Sequence, residues 1–150
     1  MNNRNHSSNR YFETSVTTSS PEQLVVLLYE AAIRHLKQAI TNIEDKDLNG
    51  KRQSVDRAMA IVQHLQSTLD MERGGQISLE LDRLYTYVVF RILDGSAKLT
   101  VGPLEEAVKL LSSLLEAWRE VAKQKQGLSL PAKSVVGVKQ APSMRLQLQG

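Results

Sequence analysis

Four long stretches of this chain carry apolar side chains at the i, i+3, i+4, i+7 spacing of one helical face, and polar or glycine-bearing runs separate them. An isolated helix of about 20 residues is marginal in water and cannot bury such a stripe by itself, so the four must pack on one another. No stretch alternates with period two over the length of a strand. The fold class is therefore all-α, and the short connections favour an antiparallel up-down-up-down four-helix bundle.

The first helix opens at Ser20, an N-cap residue, with Pro21 at the first helical position and Gln23 completing an S-x-x-Q capping box. Its expected core face is Leu24, Leu27, Leu28, Ala31, Leu36, Ala39, Ile40 and Ile43, and the polar run "EDKDLNG" ends it. A second helix is expected over 51–71, with Val55, Ala58, Ile61, Val62, Leu65 and Leu69 inward and Arg57, Gln63, Gln66 and Asp70 solvated. Gly74-Gly75 breaks the chain, since glycine readily takes the positive φ that such a turn needs. A third helix over 77–94 places Ile77, Leu81, Leu84, Tyr85, Val88 and Ile92 in register, and a fourth over 103–123, opened by Pro103, buries Leu104, Ala107, Leu111, Leu114, Leu115, Trp118 and Val121. Residues 1–20 read as a flexible N-terminal segment and cap, with Tyr11 to Thr18 extended. Residues 21–123 read as the bundle, and 124–150, rich in Gly and Pro without helical rhythm, as a flexible basic tail.

At 150 residues the chain suits one domain with a real core. It has no cysteine, which removes disulfides, thiolate nucleophiles and cysteine-ligated metal and fits a reducing cytoplasm. No apolar run approaches the ~20 residues that span a bilayer, so membrane insertion is not expected. The net charge of +3 invites a nucleic-acid partner, but the excess lies in the tail, where Lys125, Lys133, Lys139 and Arg145 have no acid among them. The helical part is slightly acidic and lacks a basic face with interleaved aromatics, so no nucleic acid is expected.

Catalytic constellations also fail. A di-iron bundle needs E-x-x-H pairs, and none of His6, His35 and His64 stands three residues after a Glu. A phosphotransfer module would centre on His35 in "RHLKQ", yet Gln38 is bulky where a docking regulator needs close backbone approach. Gly74-Gly75 leads to no phosphate-binding motif. Pairs such as Glu105-Glu106 and Asp45-Asp47 suit a helix N-terminus or a polar turn. No enzyme, metal or cofactor is expected.

The apolar residues are nevertheless too many for one buried face. Leu24 to Tyr29 are six apolar residues in succession, and "LYTYVVFRIL" adds Tyr87, Val89, Phe90 and Leu93 on other sides of the third helix. An antiparallel bundle gathers Leu24, Val25, Leu28, Leu65, Leu69, Ile77, Leu81, Trp118 and Val121 at one end, and the excess there predicts an external groove for an amphipathic partner helix. The competing reading gives the excess to self-association into a helical assembly or a weak homo-oligomer.

Three blocks, in order, carry a family resemblance. "YFETSVTTSSPEQLVVLLYEAAI" over Tyr11 to Ile33, "LDMERGGQISLELDRLYTY" over Leu69 to Tyr87, and "LLSSLLEAWREV" over Leu110 to Val121 resemble the flagellar secretion chaperone FliS family. The tail and the loop "GSAKLTVGP" depart from its pattern. The resemblance implies a cytoplasmic export chaperone, working without ATP, that binds the disordered C-terminal segment of flagellin. It implies that premature polymerisation is prevented and the client delivered to the flagellar type III export apparatus, with export gate components as further partners. Tyr11 matches the family's tyrosine, and the stretch to Val16 is expected to cover the groove when the client is absent. The expected partner-binding set is Tyr11, Val16, Leu24, Val25, Leu28, Leu65, Leu69, Ile77, Leu81, Tyr85 and Val88.

Overall fold

A computed structural model describes residues 20–126. Tyr11, Val16 and the tail from residue 127 onward lie outside it. The described chain forms four helices, α1 Pro21–Glu44, α2 Leu48–Ser67, α3 Met71–Lys98 and α4 Gly102–Gln126. Each packs on its neighbours in sequence, and α4 closes the ring against α1. The antiparallel sense is read from cross-helix pairs: Arg119 and Lys125 reach back to Glu30 and Glu22, while Gln66 and Lys51 reach Asp82 and Ser96.

Local chemistry sets the boundaries. Ser20 Oγ accepts from Gln23 N at 3.2 Å and Gln23 Oε1 accepts from Ser20 N at 3.1 Å, the reciprocal capping box expected at the start of α1. The second helix begins and ends earlier than 51–71, because Asp47 caps it by accepting from Gly50 N at 3.0 Å, and Thr68 closes it. Asp70, expected on the solvated side of that helix, instead caps α3 through Glu72 N and Arg73 N, so α3 starts with one turn ahead of Ile77. The break expected at Gly74-Gly75 is a kink inside α3. Gly75 sits at φ 53°, ψ −126°, which only glycine adopts at low cost, and Ser78 Oγ donates to Asp70 O at 2.7 Å across it. At the far end, α3 stops at Leu99 in the left-handed region, φ 54°, with Thr100 N donating to Gly95 O at 3.0 Å.

The core runs the length of the bundle. From α2 to α4 its main residues match the expected stripes: Val55, Ala58, Val62 and Leu65; Leu81, Tyr85, Val88 and Ile92; Leu104, Ala107, Leu111, Leu115, Trp118 and Val121. In α1 the register differs at the start. Val25, Tyr29, Ala32 and Ile33 are buried, whereas Leu24, Leu27 and Leu28 are only half-buried. The six-residue apolar run fits either phase, and aromatic pairing decides between them. The Tyr29 ring lies 6.4 Å from those of both Tyr85 and Trp118, which fixes the inward side.

Candidate functional site: the outer face of α3

Helix α3 is apolar on two opposite sides. Leu81, Tyr85, Val88 and Ile92 point inward, as a bundle helix requires. On the opposite side, where charge is the rule, Leu79 is 39%, Leu93 43% and Phe90 65% exposed, and Tyr87 stands 44% exposed at the edge facing α4. Spacings of 11 and 14 residues from Leu79 to Phe90 and Leu93 put these three on one stripe, since both are close to whole turns at 3.6 residues per turn. Val89 and Ile77 lie half-buried and pack against the core at its margins.

Polar clips line both edges of this face. Toward α4, Glu106 accepts from Tyr87 Oη at 2.5 Å and from Arg91 Nε at 2.8 Å. Those two donors, the phenol foremost, hold the Glu106 carboxyl below the usual carboxylate range, and the bond to Glu106 raises the Tyr87 phenol. Asp94 extends the network by pairing with Arg91 and Lys98. Toward α2, Gln66 Nε2 donates to Asp82 Oδ1 and Thr86 Oγ1, each at 2.9 Å.

The predicted partner-binding residues fall into distinct environments. Val25, Leu65, Leu81, Tyr85 and Val88 are core residues, and Leu24, Leu28, Leu69 and Ile77 are half-buried. Tyr85 is further committed by a 2.5 Å hydrogen bond to Tyr29. The bundle interior thus absorbs much of the apolar excess at the end where α1 and α3 begin, and α1 exposes no large apolar side chain. Outside the core, the α3 stripe groups several exposed apolar side chains on one face, while Leu48, Met71 and Leu99 are exposed singly at helix ends. Its signal was present in the surplus Tyr87, Phe90 and Leu93 of "LYTYVVFRIL"; Leu79 was hidden among charged neighbours.

The opposite flank differs in chemistry. A groove of about 640 Å³ between α1 and α4 has Ile33 and Leu115 at its floor and Glu30, Arg34, Lys37 and Arg119 on its walls. His35 lies outside this lining, half-buried on α1, and burial followed by the charges of Arg34 and Arg57 lowers its proton affinity. Among the described residues no cluster of three or more acidic or imidazole side chains is placed to hold a metal ion. No described helix is long and apolar enough to cross a membrane.

A family model described as "Flagellar protein FliS" matches residues 3–125. The flagellar secretion chaperone FliS of Salmonella typhimurium is 32% identical over 111 residues, covering 73% of this chain and 82% of that protein. Its counterpart in Campylobacter jejuni is 32% identical over 113 residues, covering 75% and 88%. That of Bacillus subtilis is 27% identical over 110 residues, covering 73% and 81%.

Proposed function

The chain belongs to the FliS family of flagellar proteins, and from that premise we propose that it is a cytoplasmic export chaperone for flagellin, receiving the client's disordered C-terminal segment on α3. The observation that carries the reading is the exposed stripe of Leu79, Phe90 and Leu93 on a helix whose other face is already fully used by the core. An amphipathic helix laid along that stripe buries its own apolar face against it. The segments that would assemble a filament are thereby occupied, and release at the export gate is the second half of the cycle.

Energetics support a hold that can be undone. A segment that folds as it binds buries on the order of 1,000 to 3,000 Å² and loses several kcal/mol to ordering. The half-buried Leu24, Leu28, Leu69 and Ile77 extend the apolar surface toward the end where α1 and α3 begin. The stretch from Tyr11 to Val16, which precedes Ser20 in the sequence, is assigned the cover of that surface when the client is absent.

Analytical ultracentrifugation of the chain with and without a synthetic flagellin C-terminal peptide tests this. A mixed complex is expected. Sedimentation unchanged by the peptide would refute the reading, and concentration-dependent growth of the chain alone would instead assign the stripe to self-association.

A further inference from the structure

Helix α3 is held differently from the other three. The interfaces of α1 with α2 and with α4 are extensive, whereas those of α3 with α2 and α4 are sparser. Polar clips also join α3 to its neighbours. Gln66 holds Asp82 and Thr86, Lys51 Nζ donates to Ser96 O at 3.2 Å and Ser96 Oγ at 3.1 Å, and Glu106 holds Tyr87 and Arg91. These clips are exposed or only partly buried, so water can take their place at small cost.

Glycines mark both ends of α3, and only the first has a backbone that departs from the helix. Gly75, at φ 53°, separates the first turn from the rest of the helix, and a Cβ there would meet nothing within 4 Å, so the glycine answers to backbone conformation alone. At the other end Gly95 lets the chain double back closely, since a Cβ there would come within 2.9 Å of Thr100 O. In the core beneath, the hydroxyl contact of Tyr85 with Tyr29 ties α3 to α1.

We infer that α3 is a hinged helix: from Gln76 to Lys98 it lifts from α2 and α4 about Gly75, and in doing so opens Leu65, Leu81 and Val88 to an incoming apolar helix. The inference extends the reading of α3 as the client-binding face, but it concerns a motion of the unloaded chain. It explains how core residues join a binding surface: the client completes a cavity that α3 uncovers, while α1, α2 and α4 stay packed. The clips reset the closed state after release.

Thiol accessibility measures the motion directly, because the chain has no cysteine of its own. Val88 on α3 and Ala32 on α1 are both 0% exposed, and cysteine behaves as a small apolar side chain in a core. In full-length chain without client, Val88→Cys is expected to react with a thiol reagent at least about 10-fold faster than Ala32→Cys, as sub-global opening of α3 alone requires. Adding Glu106→Ala, which frees both Tyr87 and Arg91, should speed Val88→Cys about 3- to 10-fold and leave Ala32→Cys unchanged. Equal rates at the two positions, or a Glu106→Ala effect common to both, overturns the inference. Should a cysteine variant fail to fold, hydrogen exchange of the unsubstituted chain serves: a helix lifted from the bundle is marginal in water, so residues 76–98 should exchange before α1, and simultaneous exchange overturns the inference. A mobile α3 that binds no flagellin peptide would leave the hinge standing and remove the client; peptide binding to a chain whose Val88→Cys and Ala32→Cys react alike would do the reverse.

Discussion

The hydroxyls of Tyr29 on α1 and Tyr85 on α3 meet at 2.5 Å across the diagonal of the bundle, with the two side chains 0% and 1% exposed. One phenol donates and the other accepts. The two residues come from the "LLY" and "LYTY" blocks, and Trp118 of the "AW" pair stacks beside Tyr29, so residues from all three sequence blocks converge in one layer of the core. Two consequences of the packing and two of its titrating groups can be measured.

Tyr29→Phe or Tyr85→Phe alone should each cost about 1 to 3 kcal/mol, because the remaining hydroxyl is left buried without its partner. The double variant should lose much less than the sum, since replacing both members of a buried polar pair by apolar groups is close to neutral. Urea midpoints of the four proteins form the cycle, and strict additivity would contradict the bond.

Alkaline titration should single out the same pair. Burial, only partly offset by the hydrogen bond with Tyr85, pushes the Tyr29 phenol up to about 12, and burial raises Tyr85 well above the ordinary value. The folded state therefore binds these protons more tightly than the unfolded chain, whose phenols titrate near 10. Stability is full below pH ~10 and falls as pH rises from there through the folded-state values. Absorbance at the tyrosinate band should lag for Tyr29 and Tyr85 and then rise together with unfolding; smooth titration of every tyrosine near pH ~10 without unfolding would count against the buried pair.

Gly75→Val should lower the urea midpoint by the equivalent of about 1 to 3 kcal/mol, the cost of holding a β-branched residue in that backbone region. No clash contributes, since a Cβ at position 75 has nothing within 4 Å. Gly75→Ala should therefore be destabilising too, despite its small size. An unaltered midpoint in both variants would rule out the positive φ.

Acidification should weaken the fold through His35 before the carboxylates titrate. Burial, with Arg34 and Arg57 adding to it, depresses the folded-state proton affinity of this imidazole. The unfolded chain then binds the proton better, so stability is full above the ordinary imidazole value near 6.5 and declines as pH falls below it. His35→Gln should flatten the dependence of the urea midpoint between about pH 5.5 and 7. An unchanged slope would mean that His35 is not the group responsible.

The bundle was legible in the sequence because caps and periodicity are local. Ser20, Pro21 and Gln23 state the start of α1 in four residues, and the stripes of α2 to α4 need only a helical period to be read. The phase of α1 was not legible. The run from Leu24 to Tyr29 satisfies two registers, and the choice rests on Tyr85 and Trp118, each more than 50 residues away in sequence. Asp70 was misread for a related reason: a solvated aspartate and an N-cap look alike until the chain reverses at Thr68. The candidate site was half legible. The surplus on α3 could be counted from "LYTYVVFRIL", but how much of the excess at the bundle end the interior absorbs depends on packing volumes that no linear pattern holds; Val25, Leu65 and Leu81, named in the partner-binding set, stand in the core.

The central claim is that the outer stripe of α3 is the surface flagellin covers. Phe90 tests it most directly, because at 65% exposure it can be changed without disturbing the core. Calorimetric titration of a flagellin C-terminal peptide into the chain and into Phe90→Asp should show affinity falling at least about tenfold, the loss expected when one buried aromatic contact is replaced by a charge. The urea midpoint should stay the same. Equal affinity in the two proteins, at equal stability, would contradict the account.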